Sequence, residues 1–331
     1  MSSLGVRVGP SSSTTKMCDL DIINQVLASE AAHKTQKWEP VPVAKADQVT
    51  SASSETTKDN LKSIEKYMLN LISLASHIDL EPNETFELEA RLGKFDAVAG
   101  AFRPGVSKEF MDRCIAVFNQ WDGWAEVTPW AQTEDTYYEA NGKPYRTTTD
   151  YSTNPPAIHH TVKEKMAIAD FVSQTTQGAK VNDLYDLRVC LAKEKSVPAP
   201  AVNIVMPSHV RIKIRKTFAY QPEGCDAPHW KFDFTMAWQG NNIVEADRRQ
   251  AEAEGTVYEV ELECANPHIY LVAASVTASY LAASLILKVK NDLLRWGAWR
   301  PSALTARRHV LSPLSLDIFF RIVQTKTYVA V

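Results

Sequence analysis

The chain has 331 residues, of which 45% are hydrophobic and 23% charged, with 12 glycines and 17 prolines. That is enough for one large domain or two ordinary ones with a real core, and it excludes collagen-like and wholly disordered classes. The 36 basic and 39 acidic residues give a net charge of -3, which excludes a polybasic nucleic-acid binder working through bulk charge. Any polyanion must therefore meet a locally concentrated basic site.

In chain order, the opening MSSLGVRVGPSSSTTK lacks an apolar core, so no secretory signal is expected. Cys18–His33 could form one amphipathic helix, and Glu39-Pro40-Val41-Pro42 and Ser51-Ala52-Ser53-Ser54 read as linker. Residues 1–57 are thus expected to be a flexible N-terminal extension. Leu61, Ile64, Met68, Leu71, Ile72 and Ala75 recur at helical spacing, and Phe110, Ile115, Val117 and Phe118 mark a second helix over Val106–Trp121. Period-two segments follow at 84–95, 134–140, 144–151, 158–168, 185–195, 208–220, 229–239 and 256–264. A closing helical region spans about 268–296. Its stretch Ile269–Leu287 carries no charge, but Ser275, Thr277, Ser279 and Ser284 favour a buried helix over a membrane span. The main domain is expected over 58–300, with 301–331 a tail of unassigned role. Helices, then a long run of strands, then a helix is an α+β order. The five cysteines (Cys18, Cys114, Cys190, Cys225, Cys264) form no CxxC pair, so a thiolate zinc site is not expected and a reducing compartment fits.

The strand faces carry the chemistry. Side chains alternate along a strand, so FELEARL puts Glu87, Glu89 and Arg91 on one face, and VYEVELE does the same with Glu259, Glu261 and Glu263. VRIKIR aligns Arg211, Lys213 and Arg215. Arg146, Thr148 and Asp150 share a face, as do Lys163 and Lys165, the row Arg188, Cys190, Ala192 and Glu194, and the row Lys231, Asp233 and Thr235. A solvated outer face is the plain alternative for any one strand. However, like charges ~7 Å apart repel by roughly 2 kcal/mol at an effective dielectric near 20, and whole strands here are acidic or basic. A closed eight-stranded antiparallel tunnel with a polar lumen, braced by flanking helices, accounts for this better. Clustered carboxylates call for a hard cation such as Mg²⁺ or Mn²⁺. Clustered guanidinium and ammonium groups call for a polyanion, and the two together imply phosphoryl chemistry.

The paired ELE and EVELE strands, in this order over about 84–265, resemble the triphosphate tunnel metalloenzymes, most of all the metal-dependent RNA 5′-triphosphatases of fungi, protozoa and viruses that begin mRNA capping. The resemblance implies that Glu87, Glu89 and Glu263 are the metal ligands, with Glu259 and Glu261 bracing the opposing cations. It implies that Arg146, Lys213 and Arg215 contact phosphate and that Glu194 orients the attacking water. Arg91, Arg188, Arg211, Lys231, Asp233 and Thr235 would line the substrate path, and either Lys163 or Lys165 would supply a further phosphate contact. Position 91 is Arg where fungal members often have Lys, and Pro198-Ala199-Pro200 is an insert between Glu194 and Arg211. The implied reaction is removal of the γ-phosphate from the 5′ end of nascent mRNA, with NTP hydrolysis beside it. A separate guanylyltransferase would be the partner, and the location nuclear, or cytoplasmic for a viral protein.

Other routes are excluded by missing motifs. No cysteine is followed six positions later by arginine, Gly142-Lys143 precedes Pro144 rather than Ser or Thr, and no Lys-x-Asp-Gly occurs for guanylyl transfer. An inorganic tripolyphosphatase of the same fold, and a non-catalytic polyphosphate-binding module, remain as alternatives. A pure binding module would have no use for glutamate strands facing its cations, because carboxylates repel phosphate unless a metal intervenes.

Overall fold

A strand that alternates apolar and charged residues must bury one face and give the other a polar surrounding. The computed structural model, which describes residues 36–40, 57–140, 143–175, 185–199, 207–221, 229–265, 267, 281, 284–286, 288, 289 and 293, meets both demands by closing the sheet. All of these residues lie in the unit 35–311. The elements are β1 (Gln36–Pro40), α1 (Thr57–Ala75), β2 (Glu84–Asp96), β3 (Ala101–Pro104), α2 (Lys108–Phe118), β4 (Glu126–Val127) and β5 (Ala131–Ala140). They continue with β6 (Lys143–Asp150), β7 (Ala157–Thr175), β8 (Asp186–Ser196), β9 (His209–Tyr220), β10 (Trp230–Gly240), α3 (Ile243–Ala251) and β11 (Val257–Cys264). β7-β6-β5-β9-β10-β11-β2 run as hydrogen-bonded neighbours, and β8 pairs with both β2 and β7 to close the ring. Every pairing is antiparallel. The chain is α+β, built on a closed eight-stranded tunnel with a few flanking helices.

The outer faces of β2, β8, β9, β10 and β11 are apolar and the inner face polar. Phe86, Leu88, Ala90 and Leu92 of β2, Leu187, Val189 and Leu191 of β8, and Phe232 and Phe234 of β10 are all buried. The helices supply their cover. On α1, Ile64, Met68, Leu71 and Ala75 recur on one stripe and are fully or almost fully buried. The Tyr67 hydroxyl of that helix donates to the Val189 carbonyl (3.4 Å), and its ring meets Phe171 edge-on. Helix α2 starts at Ser107, whose hydroxyl accepts from the Phe110 N–H. It ends by inserting Phe118 among Phe218, Phe232 and Phe234, with ring centroids 5.0–5.3 Å away. Truncating such a ring costs about 3–5 kcal/mol.

The expected strand positions agree with the observed ones to within a few residues, except that β7 runs on to Thr175. β3, β4 and α3 were not anticipated, and neither was β1, which lies inside the stretch expected to be an extension and pairs with the far end of β7. Helix α3 packs Ala246 against Val210, Ile212 and Trp238. That close approach needs Gly240, where an added Cβ would stand 2.6 Å from the Ala246 nitrogen. The expected helix Cys18–His33 and the tail 301–331 lie outside the described residues. Of the closing region 268–296, positions 281, 284–286, 288, 289 and 293 are helical and buried. Among the described residues no helix is long and apolar enough to cross a membrane.

Candidate active site in the tunnel

Register decides which side chains meet. Glu89 lies directly opposite Glu263, and Arg91 opposite Glu261, across β2 and β11. Thr85 lies opposite Glu194, so Glu194 falls on the same inner face as Glu87. Arg146 sits opposite Thr161, and Lys163 opposite Glu194. β7 has a bulge between Lys165 and Ala167, which re-aims the strand so that Asp170 rather than Ala169 shares a face with Lys163 and Lys165. The resulting cavity of about 1060 Å³ is lined by carboxylates Glu87, Glu89, Glu194, Glu261 and Glu263. Arg91, Arg146, Lys163, Lys165, Arg211, Lys213 and Arg215 line the same space.

Most of these charges are paired. Arg91 reaches Glu89 (2.8 Å) and Glu261 (3.0 Å). Arg146 donates to Glu194 (3.1 Å) and to the Thr161 hydroxyl (3.3 Å). Arg211 pairs with Glu259 at 2.6 Å. Arg215 donates to Thr235 (3.1 Å) and Asp233 (3.0 Å) and lies 3.4 Å from Glu261. Lys213 pairs with Asp135, which also accepts from Thr148 (2.7 Å) and from the Tyr137 hydroxyl (3.3 Å). Asp135 had no assigned role in the sequence, although the alternation Thr133, Asp135, Tyr137 marks it as inward-facing by the rule applied to the other strands. Lys165, which the sequence left level with Lys163, is the lining cation with no partner among the described residues.

Four expected substrate contacts sit apart from the cavity wall. Arg188 is held bidentately by Asp170 (2.7 and 2.8 Å) and lies over the Phe102 ring at 4.7 Å. Asp233 and Thr235 are buried beneath Arg215 as its supports. Lys231 lies on the inward row of β10 and lies 3.5 Å from Glu263. At the start of the expected insert, the Pro198 carbonyl accepts a hydrogen bond from the Tyr145 hydroxyl.

Burial raises Glu89 and Glu263 to about 7, against the pull of Arg91 and Lys163 on the first and Lys231 on the second. Burial would raise Glu261 too, but four nearby cations, led by Arg91 and Arg215, hold it at about 2. Lys213 is pushed down to about 8 by burial and by Arg215 and Arg211, with Asp135 opposing. The fit of a metal can be judged from the donors. Glu87, Glu89 and Glu263 offer only hard carboxylate oxygens, which suit Mg²⁺ or Mn²⁺. The Lys163 ammonium already lies among them, 2.7 Å from Glu87 and 3.8 Å from Glu89. The donor set therefore fits a divalent cation. The expected convergence of three carboxylates on one point is not drawn tight: among the described residues no three acidic, His or Cys side chains enclose such a site. The physical reason is that Lys163 and Lys231 pull Glu87 and Glu263 to separate partners.

No protein-family model matches the sequence, and no curated protein matches it. Solved structures do. The S. pombe Pct1 RNA triphosphatase in complex with the Spt5 CTD is 17% identical, with a TM-score of 0.51 over 74% of this chain and 98% of that one. Pct1 alone is 18% identical, with a TM-score of 0.47 over 78% and 94%. The RNA triphosphatase domain of a mimivirus mRNA capping enzyme is 12% identical, with a TM-score of 0.43 over 74% and 99%. With its ring of eight antiparallel strands and inward charges, the chain shares the tunnel fold of the S. pombe RNA triphosphatase.

Proposed function

We propose that the chain is a metal-dependent RNA 5′-triphosphatase that removes the γ-phosphate of nascent mRNA as the first step of cap formation, and that it also hydrolyses NTPs. The observation that carries this reading is the closed tunnel whose inner face sets the carboxylates of β2 and β11 against the cation ladder of β9. A polyphosphate chain alone would be repelled by those glutamates, and a metal alone would not need the ladder.

Glu87, Glu89 and Glu263 would hold Mg²⁺ or Mn²⁺, which would supply charge neutralisation at the reacting phosphate. Lys213 and Arg215 bind the γ-phosphate and Arg146 and Arg211 the preceding phosphates, with Lys165 free to add a contact. Apart from Lys165, each is fixed before substrate arrives, because its carboxylate partner sets the side-chain rotamer. Glu194, anchored by Arg146, accepts a proton from the water that attacks the γ-phosphorus. The β–γ bridging P–O bond breaks, giving inorganic phosphate and an RNA 5′-diphosphate. Without a guanylyl-transfer motif of its own, the chain would pass that end to a separate guanylyltransferase, in the nucleus, or in the cytoplasm for a viral protein. Residues 58–300 are the proposed catalytic domain.

The test is release of labelled γ-phosphate from 5′-triphosphate RNA, ATP and tripolyphosphate with Mg²⁺, Mn²⁺ or EDTA. RNA is expected to be hydrolysed with either metal and not in EDTA. Release that persists in EDTA would overturn the metal-dependent reading, and hydrolysis of tripolyphosphate alone would move the assignment to an inorganic polyphosphatase.

A further inference from the structure

A cation ladder recognises phosphates but cannot tell RNA from inorganic tripolyphosphate. Beyond the last cation of the ladder, the structure provides a different kind of surface. Along β9, His209 precedes Arg211, Lys213 and Arg215 at two-residue intervals, about 7 Å apart, and Tyr137 of β5 lies directly opposite His209. These two rings stack with centroids 4.2 Å apart and planes inclined by 13°. The pair lies near the C-terminal end of β5 and at the first residue of β9, so it sits at a rim of the tunnel, one step beyond Arg211. Tyr137 also lines the cavity.

Both rings are held in place. The Tyr137 hydroxyl donates to Asp135 (3.3 Å), and its backbone carbonyl accepts from the Ser208 N–H (2.8 Å) and hydroxyl (3.1 Å). The Ser208 hydroxyl also lies 3.1 Å from His209 Nδ1. The Tyr137 anchor Asp135 is the same carboxylate that pairs with Lys213, so ring and ladder share one support. Both rings are half-exposed, Arg146 of β6 lies opposite Tyr137 on its other flank, and the hydrophobic packing of β9, through Val210 and Ile212, lies on the opposite, outer face.

We propose that Tyr137, backed by His209, is a stacking platform for the first nucleobase of the substrate, and that it confers preference for nucleoside triphosphate ends over inorganic polyphosphate. This rests on the tunnel being the triphosphate site. Phosphates bound from Arg215 to Arg211 leave the attached nucleoside next to the Tyr137 ring. A purine or pyrimidine face adds to an existing stack without sequence selection, because every base has a π-face. Loss of one such stack is worth about 5- to 100-fold in affinity.

The test uses the full chain with Mn²⁺ and two substrates, 5′-triphosphate RNA and inorganic tripolyphosphate, reading both turnover and equilibrium binding. For Tyr137→Ala, the ratio of the RNA KM to the tripolyphosphate KM is expected to rise about tenfold. Tyr137→Phe, which keeps the ring, is expected to restore the native ratio, and His209→Ala to raise it by a smaller factor. An unchanged ratio in Tyr137→Ala, or loss on both substrates alike that Phe does not rescue, would overturn the platform. If the native chain binds RNA more tightly than tripolyphosphate through Tyr137 but hydrolyses neither, the hydrolase reading fails and the platform stands. If it binds both equally, the platform fails whatever the turnover.

Discussion

Lys213 is the most informative single perturbation, because its charge should affect catalysis and stability with opposite pH dependence. The side chain is buried, paired to Asp135, and flanked at two residues either side by Arg211 and Arg215. Burial first, and then these two guanidinium groups, bring its pKa from 10.5 down to about 8 against the opposing pull of Asp135. Below pH 8 the ammonium is charged and can meet a γ-phosphate. Above it the free enzyme loses that charge, so kcat/KM should fall about tenfold per pH unit. Stability moves the other way. Between pH 8 and 10.5 the unfolded chain holds a proton on this lysine that the folded chain does not, so folding becomes more favourable as pH rises through that window, by about 3 kcal/mol in total. Lys213→Arg keeps a charge at all accessible pH and should shift the alkaline limb of kcat/KM upward, with lower activity because the guanidinium fork does not reproduce a point charge. Lys213→Met should lower kcat/KM by about 10²–10³-fold and remove this residue's share of the alkaline gain in urea midpoint. The assays are pH profiles of kcat/KM and urea titrations at pH 7.5, 9 and 10.5 for the three proteins. An alkaline limb unchanged in Lys213→Arg would refute the assignment, as would a midpoint whose pH dependence is the same in Lys213→Met and the native chain.

Other substitutions separate the roles within the tunnel. Glu87→Gln, Glu89→Gln and Glu263→Gln should each lose most metal-dependent turnover while remaining folded, and binding of Mn²⁺ measured by calorimetry should weaken in parallel. Glu252→Gln, at the exposed C-terminal cap of α3, should change turnover little and stability by less than about 0.5 kcal/mol. Lys165→Ala should raise KM for 5′-triphosphate RNA about tenfold, whereas Lys163→Ala should also tighten Mn²⁺ binding, because the Lys163 ammonium occupies Glu87 and Glu89 and repels the cation; identical effects of the two would refute the distinction. Removing residues 1–35 should leave turnover intact, and removing 1–57 should in addition expose the far end of β7 that β1 covers, detectable as faster proteolysis there.

How far the sequence could be read follows from what alternation encodes. Glu87, Glu89 and Arg91 announce their common face because a strand has period two, and the inversion of polarity follows from uniform charge within each strand. Pairing between strands is not encoded locally. The sequence shows that Arg215 faces inward but not that Asp233, Thr235 and Glu261 will surround it, which depends on the register of β9, β10 and β11. Arg188 illustrates the same limit: its inward direction was legible, while its capture by Asp170 depends on a bulge after Lys165 that no glycine or proline marks. Helix α3 escaped because its nine residues are strongly polar. Its signal was the cap instead, since Asn242 accepts from the Glu245 N–H (3.0 Å) and Glu245 accepts from the Asn241 N–H (2.8 Å), a reciprocal arrangement close to a capping box.

The distribution of charge in the tunnel also bears on why the wall is so extensively cross-paired. Seven cations and eight carboxylates around one cavity cannot be placed by chance, because each unpaired buried charge carries a desolvation penalty of several kcal/mol. Pairing removes most of that penalty, yet it also competes with substrate: an arginine already bound to glutamate has less to offer a phosphate. The structure resolves the competition by sharing. Arg215 divides its donors among three acceptors, and Arg91 between two carboxylates, with the Arg91–Glu89 contact at 2.8 Å and the Arg215–Glu261 contact at 3.4 Å. A phosphate oxygen can replace one acceptor while the others keep the guanidinium oriented, so binding requires little reorganisation of the wall. The carboxylate displaced in each exchange, Glu261 or Glu89, lies beside a proposed metal ligand or is one. Substrate and metal would therefore bind cooperatively, each compensating the charge the other exposes. This coupling predicts that Mn²⁺ affinity measured in the presence of tripolyphosphate exceeds that of the chain alone, corrected for chelation by free tripolyphosphate.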